Sequence, residues 1–243
     1  MKPDAARSLK DRRVLVTGAS RGIGAAIARR LAAAGARVAL LARDKDALAA
    51  LAREIGGGAL GLACDVRDTE TLTHALAQLP DRMGGAPEVI VNNAGAFLIA
   101  PAHEMTVQSF ADTVAVNLTA PFAVVRALLP AMRAAKSGHV VTIGSIADRT
   151  TFSGNSAYAA SKHGLRALHE VLRAELRGTG VRTSLIAPGP VDTDIWNPID
   201  PDNRAGFTKR TEMLSAAAVA DAVYFVLTAD PELNVDELRI SRT

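Results

Sequence analysis

Short apolar runs alternate with longer stretches of helical periodicity along the chain. The runs cover residues 13–17, 37–42, 59–64, 88–92, 139–144, 181–187 and 235–240, of which the last two also contain polar residues. Because strands buried on both faces read as continuous apolar runs, these seven segments predict the strands of a parallel sheet. The stretches between them predict helices at about residues 25–34, 44–54, 69–79, 107–134, 157–177 and 216–227. The pattern therefore indicates an α/β fold, a doubly wound seven-stranded parallel sheet with helices on both faces.

The alternation is broken between residues 191 and 214. No linker, repeat or low-complexity segment separates the rest, so we expect residues 1–243 to form one domain. Long irregular loops inside compact domains usually act as lids or binding loops, and we expect a substrate lid at 191–214; a merely variable surface loop is the alternative. Possible substrate contacts are Trp196, Phe207, Met213, Arg204, Lys209 and Arg210 in the loop and Phe97, His103 and Phe152 outside it.

The composition suits a compact soluble protein, with 49% hydrophobic and 22% charged residues and a formal net charge of +3. The basic residues are scattered, which favours a solvated surface over nucleic-acid binding. Cys64 is the single cysteine, and its apolar surroundings indicate a buried hydrophobe rather than a disulfide. We find no signal-peptide pattern at the N-terminus and no apolar run of ~20 residues, so we expect a cytoplasmic protein with no membrane partner.

A glycine-rich turn joins the first predicted strand to the first predicted helix. Gly18, Gly22 and Gly24 follow the strand directly, and an alanine-rich helical pattern comes after them. Strand, glycine turn, helix and strand open a dinucleotide-binding unit, because glycine lets the backbone approach a phosphate and the helix N-terminus offers free N–H groups. The spacing here is Gly-x-x-x-Gly-x-Gly rather than Gly-x-Gly-x-x-Gly.

Tyr158 and Lys162 stand four positions apart where the pattern predicts the beginning of a helix. Residues at this spacing lie on one helical face. A free tyrosine titrates near ~10, and a nearby cation favours the phenolate, so the pair can supply an acid/base that works near pH ~7. For these two residues taken alone, a simple pair on the helix surface is the alternative.

Taken in order, these motifs resemble the short-chain dehydrogenase/reductase superfamily over nearly the whole length of the chain. The resemblance rests on Thr17-Gly18-x-x-x-Gly22-x-Gly24, Asp65-Val66, Asn92-Asn93-Ala94-Gly95, Asn117, Ser145, Tyr158-x-x-x-Lys162 and Pro188-Gly189. It implies a Rossmann fold, a homodimer or homotetramer, and hydride transfer between a nicotinamide and a carbonyl or alcohol carbon. No metal is expected.

The resemblance also implies roles for individual residues. Tyr158 would exchange a proton with the substrate oxygen, Lys162 would bind the nicotinamide ribose and lower the pKa of Tyr158, and Ser145 would orient the substrate oxygen. Asn117 would hold a water linking Lys162 to solvent; an asparagine bonded to backbone is the alternative. Cofactor contacts are expected from Gly18, Ser20, Arg21, Gly22, Ile23, Gly24, Arg43, Asp65, Val66, Asn92, Ala94, Gly95, Tyr158, Lys162, Pro188, Gly189, Val191 and Thr193.

The charge at the end of the second strand predicts NADP(H) rather than NAD(H). Ala42 stands where an acidic residue would select NAD, and Arg43 follows it while Arg21 lies in the glycine turn. Two guanidinium groups suit a 2′-phosphate. Partial neutralisation of Arg43 by Asp44, or two simply solvated arginines, is the alternative.

The leading hypothesis is thus an NADP(H)-dependent oxidoreductase acting on a small carbonyl or alcohol compound. A 3-oxoacyl thioester reductase is a second possibility, but the tail from Leu233 to Thr243 lacks the Gly-Gly of many such enzymes and resembles NADP-dependent enzymes for small hydroxy acids and other carbonyls. A regulator that binds NADP(H) without catalysis is a third, although no catalytic residue is missing.

Overall fold

The computed structural model describes residues 8–243 and contains one seven-stranded parallel sheet. The stretch on which we based the absence of a signal peptide lies mostly outside the described residues. The strands are β1 (Arg13–Thr17), β2 (Arg37–Ala42), β3 (Leu60–Ala63), β4 (Val89–Asn92), β5 (Gly138–Ile143), β6 (Val181–Pro188) and β7 (Glu237–Ile240). Their order in the sheet is β3-β2-β1-β4-β5-β6-β7. The predicted seven parallel strands are confirmed.

Eight α-helices connect these strands in the described part of the chain. They are α1 (Gly22–Ala33), α2 (Lys45–Ile55), α3 (Thr69–Ala77), α4 (Leu79–Met83), α5 (Val107–Val114), α6 (Ala120–Ala135), α7 (Ser156–Glu175) and α8 (Ala216–Thr228). The short helix α4 was not predicted, because Pro80 and Gly84 at its two ends read as turn residues in the sequence.

The two faces of the sheet carry separate hydrophobic cores, as a doubly wound fold requires. Val14 and Val16 pack on the face covered by α1, α2 and α8, whereas Leu15 between them packs on the opposite face. This alternation follows from the strand geometry, in which successive side chains point to opposite faces. Both faces are covered, so the central strands β1, β2 and β4 appear in the sequence as mainly apolar runs.

The long helix predicted for residues 107–134 is interrupted. A π-helical turn, Ala115–Thr119, separates α5 from α6 and contains the fully buried Asn117. Hydrophobic periodicity does not register this change, because a π-turn adds a residue to one turn without altering which residues are apolar. The interruption places Asn117 beside the loop that follows β4.

The helical run Val107–Ala135 corrects one expectation. Among residues 8–243, it is the one helix long and apolar enough to cross a membrane by length and composition, whereas we had expected no such stretch. The run contains Arg126 and Arg133, and α6 within it packs on α3 and on the sheet. A core helix of a folded domain passes the same test, so the run is weak support for a membrane span.

Strand β7 begins two residues later than predicted because a side chain replaces its first backbone pairing. The Asn234 amide donates to the carbonyl of Thr183 at 3.0 Å and accepts from the Thr183 N–H at 3.2 Å. These two bonds satisfy the backbone N–H and carbonyl groups of Thr183 at the edge of β6, as the backbone of a neighbouring strand would.

Candidate active site

A cleft of about 1090 Å³ lies beyond the carboxyl ends of the central strands. The strand order reverses between β1 and β4, and ligands bind doubly wound sheets at such a switch point. The cleft brings together nearly all of the residues expected to contact a cofactor: Gly18, Ser20, Arg21, Gly22, Ile23, Gly24, Arg43, Asp65, Val66, Ala94, Gly95, Tyr158, Lys162, Pro188, Gly189, Val191 and Thr193, together with Ser145.

The glycine turn is packed so closely that side chains are excluded from it. Gly18 has φ +66°, and a Cβ atom there would lie 2.8 Å from the Cα of Ala94. A Cβ at Gly24 would lie 2.2 Å from the Gly18 carbonyl oxygen. Helix α1 begins at this turn without a side-chain cap, because Arg21 at its N-cap makes no capping bond. The turn therefore forms a cradle whose backbone N–H groups suit a pyrophosphate.

The turn after β4 holds the glycine turn in place through a residue that we did not assign. The Asn93 side chain donates to the carbonyl oxygens of Thr17 and Gly18 at 2.8 and 3.2 Å. In return, the Thr17 hydroxyl accepts the N–H groups of Asn93 and Ala94, each at 3.0 Å.

Asn92, which we expect at the cofactor site, points away from the cleft. Asn92 does not line the cleft; its amide lies 3.4 Å from the Pro121 carbonyl, to which it donates, on the side of α6. Side chains alternate across a strand, so Asn92 and Asn93 face opposite ways.

Helix α7 and the end of β5 bring Ser145, Tyr158 and Lys162 together. Lys162 lies on the helical turn after Tyr158, with its Nζ 5.7 Å from the centre of the phenol ring. The Lys162 ammonium is buried and donates to the Ile143 carbonyl at 2.9 Å. Ser145 Oγ accepts the Ala147 N–H at 3.1 Å, and the same hydroxyl lies close enough to the Tyr158 hydroxyl to lower its pKa. The predicted shared face of Tyr158 and Lys162 is thus present, and it points into the cleft.

Burial shifts both titrating groups toward their neutral forms. Burial raises the pKa of Tyr158 above its usual value, and the Ser145 hydrogen bond offsets this only in part. Burial lowers the pKa of Lys162 to about 8, while the charge of Asp148 opposes that shift. We had expected the Lys162 charge to lower the pKa of Tyr158. The protein's own groups produce the opposite direction, because removal of water from the phenol outweighs its polar neighbours.

Asn117 makes three hydrogen bonds within the protein. Its Oδ1 accepts the Ala96 N–H at 2.8 Å, and its amide donates to the Ala96 carbonyl and to Ser161 Oγ, each at 2.9 Å. The Ser161 hydroxyl in turn donates to the Tyr158 carbonyl at 2.7 Å. Asn117 does not line the cleft itself; it joins the loop after β4 to α7 beneath Tyr158. These contacts match the alternative of an asparagine bonded to backbone.

Two arginines face the end of the cleft beyond β1 and β2. Arg21 and Arg43 are exposed, and neither makes a side-chain hydrogen bond or ion pair with residues 8–243. Asp44 is occupied elsewhere, because its carboxylate caps α2 by accepting the Ala47 N–H at 3.0 Å. Asp65 is paired with Arg67 at 2.7 Å, which together with a weaker effect of Arg43 lowers the pKa of that carboxyl.

Residues 191–214, the segment in which we expect a lid, leave and rejoin the body of the fold at one point. Val191 pairs with Leu214, and the Leu214 N–H donates to the Pro190 carbonyl at 2.9 Å. Of the lid side chains that we proposed as substrate contacts, only Trp196 lines the cleft; Phe207, Met213, Arg204, Lys209 and Arg210 do not. Outside the lid, Phe97 and Phe152 line the cleft, whereas His103 is exposed elsewhere.

Sequence reasoning missed a buried carboxylate beneath the site. Asp148 ends the 3₁₀ turn that Ser145 caps, and it is 1% exposed. Its nearest cation is Arg239, whose Nη1 lies 3.5 Å from Oδ1. Burial raises the pKa of Asp148. Nothing in the local sequence distinguishes Asp148 from a solvated turn residue, because the elements that pack on its turn, α7 and β6, lie further along the chain.

The sequence profile of the short chain dehydrogenases matches residues 12–204, which include the glycine turn and the residues around Tyr158. The chain belongs to this family. Short-chain dehydrogenases are oxidoreductases with a dinucleotide-binding Rossmann fold, which agrees with the sheet order and the cleft described above.

Individual short-chain dehydrogenases resemble the chain along most of its length. It is 33% identical to an NADP-dependent 3-hydroxy acid dehydrogenase of Salmonella typhi, covering 93% of both chains. It is 33% identical to a 3-oxoacyl-[acyl-carrier-protein] reductase of Escherichia coli, covering 87% of this chain and 88% of that protein. The crystal structure of a metagenomic short-chain oxidoreductase in complex with NADP superposes with a TM-score of 0.83 at 36% identity, covering 97% and 98% of the two chains.

Proposed function

We propose that the protein is an NADP(H)-dependent oxidoreductase that interconverts a carbonyl compound and the corresponding alcohol. The observation that carries the proposal is the convergence of Tyr158, Ser145 and Lys162 at the inner end of a cleft whose other end is the glycine cradle. When bound, the nicotinamide supplies the hydride to the carbonyl carbon or accepts it from the alcohol carbon. The protein supplies binding, orientation and the proton.

Tyr158 is the proton donor in the direction of reduction. Its raised pKa keeps the phenol protonated at neutral pH, which is the form that can give a proton to the carbonyl oxygen. Ser145 holds that oxygen by hydrogen bonding beside the Tyr158 hydroxyl. Lys162 holds the ribose hydroxyls, and Asn117 fixes the loop and the helix on which these groups stand.

The residues of the cleft fit a dinucleotide with a 2′-phosphate. The uncapped start of α1 and the side-chain-free cradle at Gly18 and Gly24 suit the pyrophosphate. Arg21 and Arg43 have no protein partner for their guanidinium groups among the described residues, so both are available to a phosphate. We therefore propose a preference for NADP(H).

The cofactor preference is tested by removing each guanidinium. Because a hydrogen bond to a charged group contributes about 1.5–3 kcal/mol, Arg43→Leu and Arg21→Leu should each raise the KM for NADPH by roughly 10–100-fold and leave that for NADH nearly unchanged. Arg53→Leu is the matched control, since Arg53 is exposed on α2 outside the cleft and, among the described residues, donates to the Ala49 carbonyl alone. An equal increase in KM for NADPH and for NADH would contradict the assignment of these arginines to the 2′-phosphate.

The reaction is tested by NADPH oxidation against ketones, keto esters, keto acids and acyl thioesters. Tyr158→Phe should lower turnover by about 10²–10⁴-fold, because it removes the proton donor, while NADPH affinity is retained. Tyr224→Phe is the matched control: Tyr224 is the second of the two tyrosines and packs under Arg30 at 3.6 Å, outside the cleft. Retained turnover in Tyr158→Phe would exclude the proposed role.

Two other candidate functions give different results in the same assay. A 3-oxoacyl thioester reductase, favoured by the Escherichia coli relative, would turn over acyl thioesters best. A regulator that binds NADP(H) without catalysis would bind NADPH and turn over nothing.

We also propose that the chain acts as one dinucleotide-binding domain with a lid at 191–214 and assembles as a homodimer or homotetramer. Phe122 on α6 and Val171 on α7 are 49% and 54% exposed, as expected of a face covered by another subunit. The net charge of +3, without a block of like charge, supports a small-molecule substrate rather than nucleic acid. A cytoplasmic location is in keeping with the unpaired Cys64.

A further inference from the structure

A row of aromatic rings extends from the reacting phenol across the lid. The Phe97 ring meets Tyr158 edge to face, with ring centres 4.7 Å apart. Trp196 of the lid meets Phe97 in the same way at 5.1 Å, and Phe207 meets Trp196 at 6.3 Å. Such edge-to-face contacts stabilise one arrangement of the rings. The wall next to the Tyr158 ring is therefore aromatic.

Trp196 is held so that its only polar atom faces away from a ligand. The indole N–H donates to the Val191 carbonyl at 3.0 Å, at the base of the lid. A tryptophan has no other polar group. The part of Trp196 that lines the cleft is thus apolar carbon.

Two further large apolar side chains of the cleft are exposed to solvent. Phe152 and Leu98 are 46% and 39% exposed, and both line the cleft. Exposed apolar groups gathered in a concave site indicate ligand contact, because their exposure to water is unfavourable. A ligand beside Tyr158 would remove this apolar surface from water.

The aromatic wall has no cation free to pair with an acidic substrate. Among residues 8–243, the cations that line the cleft are Arg21, Arg43, Arg67 and Lys162. Arg21 and Arg43 stand beyond β1 and β2, Arg67 is paired with Asp65 and Asp112, and Lys162 donates to the Ile143 carbonyl.

The lid supplies no such cation either. Arg210 donates to Asp192 at 2.7 Å, to Asn197 at 2.6 Å and to the Thr193 carbonyl at 3.1 Å. The Arg204 guanidinium lies over Phe207 at 5.1 Å, outside the cleft. Asp194 is the charged lid residue that lines the cleft, and its carboxylate would repel an acidic substrate.

From these contacts we propose that the substrate is an uncharged aryl ketone or aryl keto ester, whose ring packs on Phe97 and Trp196 while its carbonyl meets Tyr158. The proposal rests on the proposed reductase function and narrows its substrate class. It separates the protein from relatives whose names give a hydroxy acid or an acyl-carrier-protein thioester. A carboxylate placed here would be desolvated without a partner.

The test is a set of four 2-oxo compounds that differ in one group at a time: ethyl benzoylformate, benzoylformate, ethyl pyruvate and pyruvate. Each is reduced to its alcohol while NADPH is oxidised. We expect kcat/KM for ethyl benzoylformate to exceed that of each other compound by about tenfold or more, since burying an apolar group discriminates by 10–200-fold. A preference for either acid, or equal values for phenyl and methyl esters, would overturn the proposal.

Variants test whether the named rings recognise the aryl group. Phe97→Ala and Trp196→Leu should lower the ratio of kcat/KM between ethyl benzoylformate and ethyl pyruvate toward one, mainly through KM for the aryl ester. Phe225→Ala is the control, because Phe225 is 56% exposed on α8 and does not line the cleft. An unchanged ratio in both ring variants would show that the aryl group binds elsewhere.

Fluorescence of Trp196, the only tryptophan, separates failure of this inference from failure of the proposed function. Titration with the product alcohols ethyl mandelate, mandelate and ethyl lactate requires no turnover. A saturable change in Trp196 fluorescence that occurs with ethyl mandelate alone, and is lost in Phe97→Ala, supports the aryl site even if no compound is reduced. Reduction of the two acids in preference to the esters supports the oxidoreductase and refutes the aryl site. No turnover and no saturable change would refute both.

Discussion

Replacing Asn117 by alanine should destabilise the protein severely, because its side chain is fully buried and makes three hydrogen bonds. The substitution leaves the N–H and carbonyl groups of Ala96 without these partners. A net contribution of about 1 kcal/mol for each bond gives a loss of about 3 kcal/mol in the free energy of unfolding. In a chain of this length, such a loss corresponds to a fall in Tm of roughly 6–12 °C.

The assay is urea unfolding followed by far-UV circular dichroism, with the melting temperature measured in parallel. Thr119→Ala is the matched control, since Thr119 lies on the same π-helical turn with an exposed side chain and should change stability by less than about 0.5 kcal/mol. The turnover of Asn117→Ala should also fall, because Ala96 lines the cleft. A loss below about 1 kcal/mol in Asn117→Ala, or an equal loss in Thr119→Ala, would refute the reasoning that the amide joins the loop to α7.

Three further perturbations follow from the geometry. Gly24→Ala should destabilise the protein by about 1–3 kcal/mol and weaken NADPH binding, because its Cβ would lie 2.2 Å from the Gly18 carbonyl oxygen. The control Gly61→Ala, whose Cβ would stand at an ordinary 3.4 Å from its nearest neighbour, should be nearly neutral, and equal losses would contradict the argument. Burial lowers the pKa of Lys162 to about 8, so above that pH the folded chain has lost a proton that the unfolded chain still binds. The free energy of unfolding of the wild type, relative to that of Lys162→Met, should therefore rise by about 2 kcal/mol from pH ~7 to ~9.5. A difference independent of pH would show that the ammonium is not desolvated. Burial raises the pKa of Asp148, so the ionised carboxylate destabilises the folded chain near pH ~7. Asp148→Asn should therefore unfold at a higher urea concentration than the wild type at that pH. The difference should disappear near pH ~3, where the wild-type carboxyl is protonated in both the folded and the unfolded state. A lower urea midpoint for Asp148→Asn near pH ~7 would mean that the ion pair of this carboxylate outweighs its burial.

The sequence accounts for much of the cleft because the carboxyl ends of parallel strands meet at one edge of a sheet. Gly18, Ala94, Ser145 and Pro188 each follow or end a different apolar run, so their convergence needs only the strand pattern. The Tyr158–Lys162 face likewise follows from helical periodicity alone. The structure differs from the expectation where one residue of register matters, as at Asn92 and Asn93, because alternate side chains of a strand face opposite sides.

Other properties depend on contacts between distant segments. The alanine-rich run after residue 107 predicts a helix, but its π-helical turn is stabilised by hydrogen bonds from Asn117 to the loop after β4. The irregular segment 191–214 is visible in the sequence, whereas only the folded chain shows that Arg210 bonds within that segment and that Trp196 reaches the cleft.

The sequence by itself thus determined the family, the order of strands and helices, and most of the residues that share the cleft, since these follow from local periodicity and motif spacing. The tertiary structure alone decided the direction of the pKa shift at Tyr158, the burial of Asp148, and the aromatic character of the surface beside the phenol. The physical reason is that desolvation and ring packing depend on every segment that encloses a group, and those segments lie far apart in the chain.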